Sequence, residues 1–493
     1  MISYRNVLII ISAAGILLRF LFPACFEFKA DELKALELGI DASNGAWYIK
    51  HGMLSGVGLF NAPGFSYLMG LFTLISRDPF IVNLIFIILN CAALPVAAFL
   101  IYRRFERLRG IIYFFLISLS PWMIVYSRHI WAQNLLFPFS VLAALLLTRL
   151  KRKPWLAVVF AMVLSIILQL HQSSIFFYFL FLFTSLVIEP IRKAVFLFIK
   201  QNKIISVLSM ALFLLTFVSY FHHLFIDSGI QRFFDFAGAP HSFSKDAFEQ
   251  VIQMATGTEF FLKFVGGGRV LYSWPITGLP NGILVFGYLL IPAFLMGLYK
   301  IAKSLRYSRE MKSILVKGDQ DIFAGISVIV VTGLTLMYFL LKINSHHHYF
   351  IIIIPFILFI SAEGIYQFLQ YNIRFTKQLV VASFVAYIST YLFLLLFVVI
   401  NNGSVKNYGL AYKSQFRIAE EVSRLGAPID LKIAESSNLP KSHEYIENVK
   451  YIIKNVQKAD SIVSSPGAAL VINIEFSLNE NRLNYKLKKQ AAN

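Results

Sequence analysis

Acids, an arginine, amides, histidines and a lysine, the side chains of proton transfer and phosphate binding, recur in this sequence at the ends of long apolar runs. After the first run comes Phe26-Glu27-Phe28-Lys29-Ala30-Asp31-Glu32. A carboxylate at Asp31 or Glu32 could take the proton of an attacking hydroxyl. Equally, Asp31-Glu32 suits the first turn of a loop helix, where negative charge meets the positive end of the helix dipole. The third run closes in Ser120-Pro121 and Tyr126-Ser127-Arg128-His129, and the next opens Ile130-Trp131-Ala132-Gln133-Asn134. Arg128 there is either a planar fork matched to a phosphate or an arginine snorkelling beside Trp131 at a membrane surface. Gln133 and Asn134 have no anchoring value and favour the first reading. In Gln169-Leu170-His171-Gln172-Ser173-Ser174 a tight turn holds several hydrogen-bonding side chains, as a satisfied turn or as part of a site. Lys342 precedes Ser345-His346-His347-His348-Tyr349, but three consecutive histidines point in different directions, unlike the separated pairs that bind zinc. Gly266-Gly267-Gly268-Arg269 lacks the Lys-Ser/Thr ending of a nucleotide loop and reads as a hinge.

The elements that must position these groups are set by composition. Of the 493 residues 58% are hydrophobic and 14% charged, with 49 phenylalanines and a mean hydropathy of +0.68. Soluble chains carry about 25% charged residues. A cytosolic enzyme, a disordered scaffold and a secreted disulfide protein are therefore excluded, and the fold class is an all-α polytopic membrane bundle. Cys25 and Cys91 both lie in apolar runs and offer neither a disulfide framework nor a zinc site. The first run, 7–26, has no small-residue cleavage site after it and reads as a retained span. A span needs about 20 apolar residues, which gives about eleven, near 7–26, 79–101, 111–127, 130–148, 155–171, 173–189, 204–226, 281–301, 322–341, 349–369 and 378–401.

Orientation follows from the basic loops. Residues 103–109, 149–153, 192–203, 300–317 and 374–377 hold 20 of the 45 lysines and arginines. With the amino terminus inside and eleven spans, all five loops face the cytoplasm, as the positive-inside rule requires. Were the short stretch Ala62–Ile75 also to cross, every later loop would invert, so it is expected to lie on or dip into the outer leaflet as an interfacial helix. The formal charge of +19 is then a matter of loop topology and not of nucleic-acid binding. The outer face receives loops 27–78 and 227–280 and a tail, 402–493. The tail is expected to form a small external α/β domain, with helices at Lys413–Leu425 and Ser442–Val456 and strands at Ile429–Ile433 and Ala468–Ile474. Residues 1–401 make the membrane domain. Asn402-Gly403-Ser404 is a glycosylation sequon only in a eukaryotic secretory context. Arg19 and Glu363 lie near span ends, where each could snorkel or pair.

With this topology the candidate groups converge on one rim of the bundle. A transporter would place its polar residues near the midplane, on interrupted helices and often in repeated halves. The rim placement favours an enzyme at the outer surface of a cell membrane. A transporter, a lipid-linked oligosaccharide flippase and a polysaccharide ligase or polymerase stand as alternatives.

The order of these pieces resembles the integral-membrane glycosyltransferases of the GT-C superfamily, in the branch of the protein O-mannosyltransferases and the lipid A aminoarabinose transferase. The resembling residues are Asp31-Glu32, Asn61-Ala62-Pro63-Gly64-Phe65-Ser66-Tyr67-Leu68, Ser120-Pro121 with Tyr126-Ser127-Arg128, and His348-Tyr349 leading to Pro355, over roughly residues 1–370. The resemblance implies transfer of a sugar, with inversion, from a polyprenyl-phosphate carrier to a lipid, glycan or protein hydroxyl on the periplasmic or exterior face of an inner membrane. It implies Asp31 as general base with Glu32 orienting it. Arg128, Lys342, His348 and Tyr349 are implied at the lipid phosphate, while Lys29, His129, Gln133, Asn134, His171 and Gln172 line the site. His348 stands where the family usually has a cationic residue, and Gln133-Asn134 where some relatives carry a second acid. No cofactor is demanded, and a divalent metal is compatible with the resemblance.

Overall fold

The computed structural model describes residues 3–46, 48–55, 59–147, 149, 153, 155–172, 174–187, 189–226, 230–232, 235, 246–257, 264–265, 287–307, 319–342, 345–371, 374–404, 408–425, 429–434, 437, 442–457, 470–479 and 482–491. The glycine run 266–269 and most of loop 227–280 lie outside them. The helices are α1 (Tyr4–Phe20), α2 (Ala30–Ser43), α3 (Gly64–Ile75), α4 (Pro79–Arg104), α5 (Arg107–Leu119), α6 (Pro121–Tyr126), α7 (Leu136–Leu147), α8 (Leu156–Leu170), α9 (Ser174–Val187), α10 (Glu189–Gln201), α11 (Lys203–Leu215), α12 (Val218–Phe225) and α13 (Asp246–Thr256). They continue with α14 (Leu290–Tyr307), α15 (Asp319–Leu340), α16 (Ile354–Gln370) and α17 (Arg374–Asn401). Short 3₁₀ turns, Ala132–Leu135 and His347–Ile353, lead into α7 and α16.

The chain is a helical multi-pass membrane protein. Four described helices are long and apolar enough to cross a bilayer, and α10 with α11, bent by 107°, adds a fifth if counted as one span. The expected count of about eleven is not reached by length alone, because several apolar runs are cut. Run 111–127 breaks at Ser120, whose extended backbone is the conformation favoured before a proline. Run 204–226 breaks between α11 and α12. The stretch Ala62–Ile75 forms α3, packed on α2, α4 and α8. At the centre of the bundle is α16, 94% enclosed along its apolar window where α4 is only 39% enclosed. Its contact with α14 depends on glycine: a Cβ on Gly364 would sit 1.6 Å from Ala293 O and one on Gly297 1.9 Å from Ile360 O. Small residues thus let these backbones approach, as in other membrane helix pairs. Of the polar residues expected near span ends, Arg19 donates to the carbonyls of Gly15 and Ser118, both at 2.8 Å, and Glu363 pairs with Arg109 at 3.4 Å.

Beyond α17 the chain forms a short ladder, β1 (Gly403–Ser404) with β2 (Gly409–Leu410), then α18 (Tyr412–Ser423), β3 (Ile429–Ile433), α19 (Ser442–Asn455), β4 (Leu470–Asn479) and β5 (Arg482–Ala491). Central strand β4 pairs parallel with β3 and antiparallel with β5. Ile472, Ile474 and Phe476 alternate inward along it, the two-residue period of a strand with one face covered. The two helices and strands β3 and β4 of this α/β tail fall close to their sequence positions, while β1, β2 and β5 are additions.

Candidate active site

Between α1 and α2 the chain runs irregularly from Leu21 to Lys29, and the C-terminal tail holds it carbonyl by carbonyl. The Tyr408 hydroxyl donates to Cys25 O at 2.5 Å. Backbone N–H groups of Lys413 and Tyr412 donate to Ala24 O and Phe26 O, both at 3.0 Å. Gln415 Nε2 and Asn448 Nδ2 both donate to Phe28 O, at 2.7 and 2.9 Å. Gly409, at φ +72°, lies where a Cβ would stand 2.7 Å from the Tyr445 hydroxyl and 3.0 Å from Lys29 Cε, so the tail crosses Lys29 with no room to spare. From the membrane side, Arg128 Nη2 donates to Phe22 O at 2.7 Å, steadying the left-handed backbone of Phe22 (φ 47°).

This strapping presents Glu27, Lys29, Asp31 and Glu32 in fixed directions. Glu27 and Glu32 turn inward and are buried, and His129 meets them from the turn after α6. The Pro121 break aims that turn, and Asn134 Nδ2 holds it by donating to His129 O at 2.8 Å. His129 Nδ1 lies 3.4 Å from Glu27 Oε2 and 3.8 Å from Glu32 Oε1. Lys29 Nζ pairs with the other oxygen of Glu27. Glu32 Oε2 accepts from the Lys29 N–H at 2.9 Å, capping α2, while Glu32 Oε1 and His129 Nδ1 have no hydrogen-bond partner.

Burial sets the protonation of this cluster. It pushes Glu32 up to about 7, with Lys29 opposing and Asp31 reinforcing the shift. Glu27 is likewise raised by burial despite Lys29 and His129. Burial lowers His129 to about 4. For Lys29 burial alone would lower the pKa, but the charge and hydrogen bond of Glu27 together with the charge of Glu32 outweigh it and the pKa is raised. Two acids with raised pKa thus face a neutral imidazole, with one ligand atom of each residue within 4.8 Å of the others. The orphaned oxygen and nitrogen, and this mixed oxygen and nitrogen donor set, fit a divalent cation.

Asp31 points the other way. It is exposed and lines a cavity of about 250 Å³ with Gln133, His171, His346, His348 and Tyr349. Trp131 lines the cavity and neighbours the cluster, its ring 5.5 Å from that of His348 and 5.3 Å from that of His129. Of the three consecutive histidines, His346 and His348 face this cavity, whereas His347 stacks on Trp122 at 4.5 Å.

Not every expected site residue is here. Arg128 does not line the cavity. It is buried, and two of its guanidinium nitrogens donate to Phe22 O and the Tyr391 hydroxyl. Lys342 follows α15 in a left-handed turn (φ 54°) and is likewise absent from the lining. Asn134 acts on the backbone of His129, and Lys29 belongs to the buried cluster. Gln172 braces the wall, its N–H donating to Asn61 Oδ1 at 2.9 Å and its Nε2 to Ser55 Oγ at 2.6 Å. Sequence reasoning missed Glu27, whose only signal was its place two residues before Lys29, and the tail residues Tyr408, Gln415 and Asn448, which carried no signal.

The cavity shares Ser55, His171 and Tyr349 with a larger space of about 510 Å³. That space runs down between α8, α9 and α11–α12, walled by Leu168, Phe176, Phe179, Phe217 and Phe221 among other apolar side chains. Among the described residues lining the two spaces, Arg232 alone carries a permanent positive charge, its guanidinium 5.0 Å over the Phe60 ring.

No protein-family model and no curated protein matches the sequence. Among solved structures, the chain is similar to the Archaeoglobus fulgidus oligosaccharyltransferase in complex with Zn and sulfate, with a TM-score of 0.48 and 14% identity over 93% of this chain and 59% of that one. It is also similar to the archaeal oligosaccharyltransferase AglB from Archaeoglobus fulgidus in complex with an inhibitory peptide and a dolichol-phosphate, with a TM-score of 0.45 and 13% identity over 94% of this chain and 61% of that one. The chain therefore spans about three fifths of the length of these proteins. At these values the likeness is one of overall shape.

Proposed function

We propose that the protein is a GT-C-type glycosyltransferase that moves a sugar from a polyprenyl-phosphate donor to an acceptor hydroxyl on the face of the membrane opposite the basic loops. The observation that carries this reading is a cavity lined by an exposed carboxylate, an amide and histidines that shares three wall residues with an apolar groove. A substrate filling both has a polar, reacting head and a hydrocarbon tail.

In this reading the Asp31 carboxylate accepts the acceptor's proton as its oxygen attacks the anomeric carbon from the face opposite the carrier phosphate, inverting the configuration. The bond to the phosphate oxygen breaks and the lipid phosphate leaves. Tyr349 and His171, at the junction of cavity and groove, donate hydrogen bonds to it, and Arg232 supplies the charge that balances it. Gln133, His346 and His348 orient the sugar. Glu27, Glu32 and His129 would hold a divalent cation, which would supply positive charge to the two buried acids and so fix the start of α2, which carries Asp31. Lys29 pairs with Glu27, and Arg128 and the tail hold the loop in register.

The test is incubation of purified protein with a panel of labelled polyprenyl-phosphate sugars. Release of polyprenyl phosphate with at least one donor, lost in Asp31→Asn, is the expected result. Binding of such donors with no transfer, and their movement across the bilayer in vesicles, would replace the enzyme with a flippase.

A further inference from the structure

The apolar groove does not end at its own floor. A second apolar space of about 390 Å³ lies beyond it among α8, α9, α10 and α11, and the two share Tyr178 and Phe213. These rings stack with centroids 5.9 Å apart and planes at 22°. The far space is walled by Phe160, Leu164, Phe181, Phe198 and Met210, with Ala161 the small residue that leaves room on the α8 side. Its floor is α10, turned by 107° against α11 so that Val195, Phe198 and Ile199 face upward.

We infer that the two spaces form one site for the tail of a long isoprenoid phosphate, divided by Tyr178 and Phe213, which select the donor by tail length. The inference rests on the donor reading above and adds to it a second chamber and its gate. Charge complementarity fixes the occupant: at the near end the groove meets Arg232, and most of the walls thereafter are aliphatic and aromatic, so the ligand is an anionic amphiphile. The gate narrows the class further. Two stacked rings can part for one hydrocarbon strand but not for a pair, which admits an unforked isoprenoid chain and excludes a two-tailed phospholipid. A short tail fills the near chamber and stops at the rings. A longer one places its distal isoprene units against the second chamber, each removing more apolar surface from its surroundings. The α10 floor makes the capacity finite.

Binding of synthetic polyprenyl monophosphates to the full-length protein in nanodiscs reads this directly, with C20 and C55 tails and dioleoyl phosphatidic acid as the two-tailed anion. The wild type is expected to bind the C55 lipid at least tenfold more tightly than the C20 lipid, and phosphatidic acid more weakly than either. Ala161→Phe, which fills the far chamber, is expected to abolish the C55 advantage while C20 affinity moves by less than about twofold. Ser209→Phe fills the same chamber from α11 and serves if the first variant fails to fold. Equal affinity for C20 and C55 in the wild type, or an advantage that survives both variants, would overturn the gate and leave the donor reading standing. Failure of either polyprenyl phosphate to bind, or binding no tighter than that of phosphatidic acid, would overturn both.

Discussion

Asp31 and Glu32 are neighbours in the first turn of α2, yet they occupy opposite worlds. Successive residues on a helix are rotated by about 100°, so one acid opens on a cavity and the other on a buried cluster. Exposure leaves Asp31 able to meet a substrate and give up its charge for a proton. Enclosure gives Glu32 a cap to hold, a histidine to face and a raised pKa. The pair teaches that two acids in sequence need not form a catalytic dyad: what surrounds each oxygen decides its chemistry.

The largest effect should come from separating them by mutation. Asp31→Asn is expected to lower transfer by a factor on the order of 10² or more, with donor binding within about twofold, because the amide keeps the size and cannot take the proton. Glu32→Gln should cost less, since its amide oxygen can still cap the Lys29 N–H. The reverse ranking would move the base into the cluster.

Next is pH. The Glu32 pKa in the folded chain, about 7, lies above its ordinary 4.5, so the group favours the folded state fully below about 4.5 and that contribution is lost as pH rises toward 7. A cation at the cluster must displace this proton while His129 is already neutral. Affinity for Mn²⁺ or Zn²⁺, followed by calorimetry, should therefore rise about tenfold per pH unit up to pH 7 and level off above it. A flat profile, or one unchanged in Glu32→Gln, would show that the cluster is held by Lys29 alone.

Smaller effects sharpen the contrast between binding and positioning. Arg232→Gln should raise the donor KM about tenfold with kcat little changed, the loss of one charge-assisted contact. Gln415→Leu with Asn448→Leu releases Phe28 O and should lower kcat about tenfold while leaving donor KM within twofold, as expected when a reacting group is displaced slightly. Arg128→Lys should lower thermal stability, by about 1–3 kcal/mol for a buried unmet hydrogen bond, and leave donor affinity alone. A weakened donor with unaltered stability would restore Arg128 as a phosphate ligand.

Much of the fold was legible because hydropathy runs and the strand period of two are local properties. The membrane helices and the segments Ile429–Ile433 and Ser442–Asn455 follow from them. Span number was less so, since Pro121 divides an apolar run that composition alone treats as continuous. Asp31, His171, His348 and Tyr349 could be named because polar side chains at span ends are costly without a use. Glu27 could not, as its burial depends on Ala411 and the strand-like bridge they share. Gln415 and Asn448 act over separations of 387 and 420 residues, a relation no local pattern encodes. At Arg128 the residue type alone does not choose, because an arginine fork suits a carbonyl and a tyrosine as well as a phosphate.

The central claim is that the substrate head lies in the Asp31 cavity and not in the Glu27–Glu32–His129 cluster. A cryo-electron microscopy structure with a bound polyprenyl monophosphate tests it most directly. The account predicts phosphate density at the junction of Ser55, His171 and Tyr349, open to Asp31, with the tail descending between α8, α9 and α11. Phosphate density against Arg128, or inside the Glu27–Glu32–His129 cluster, would contradict it.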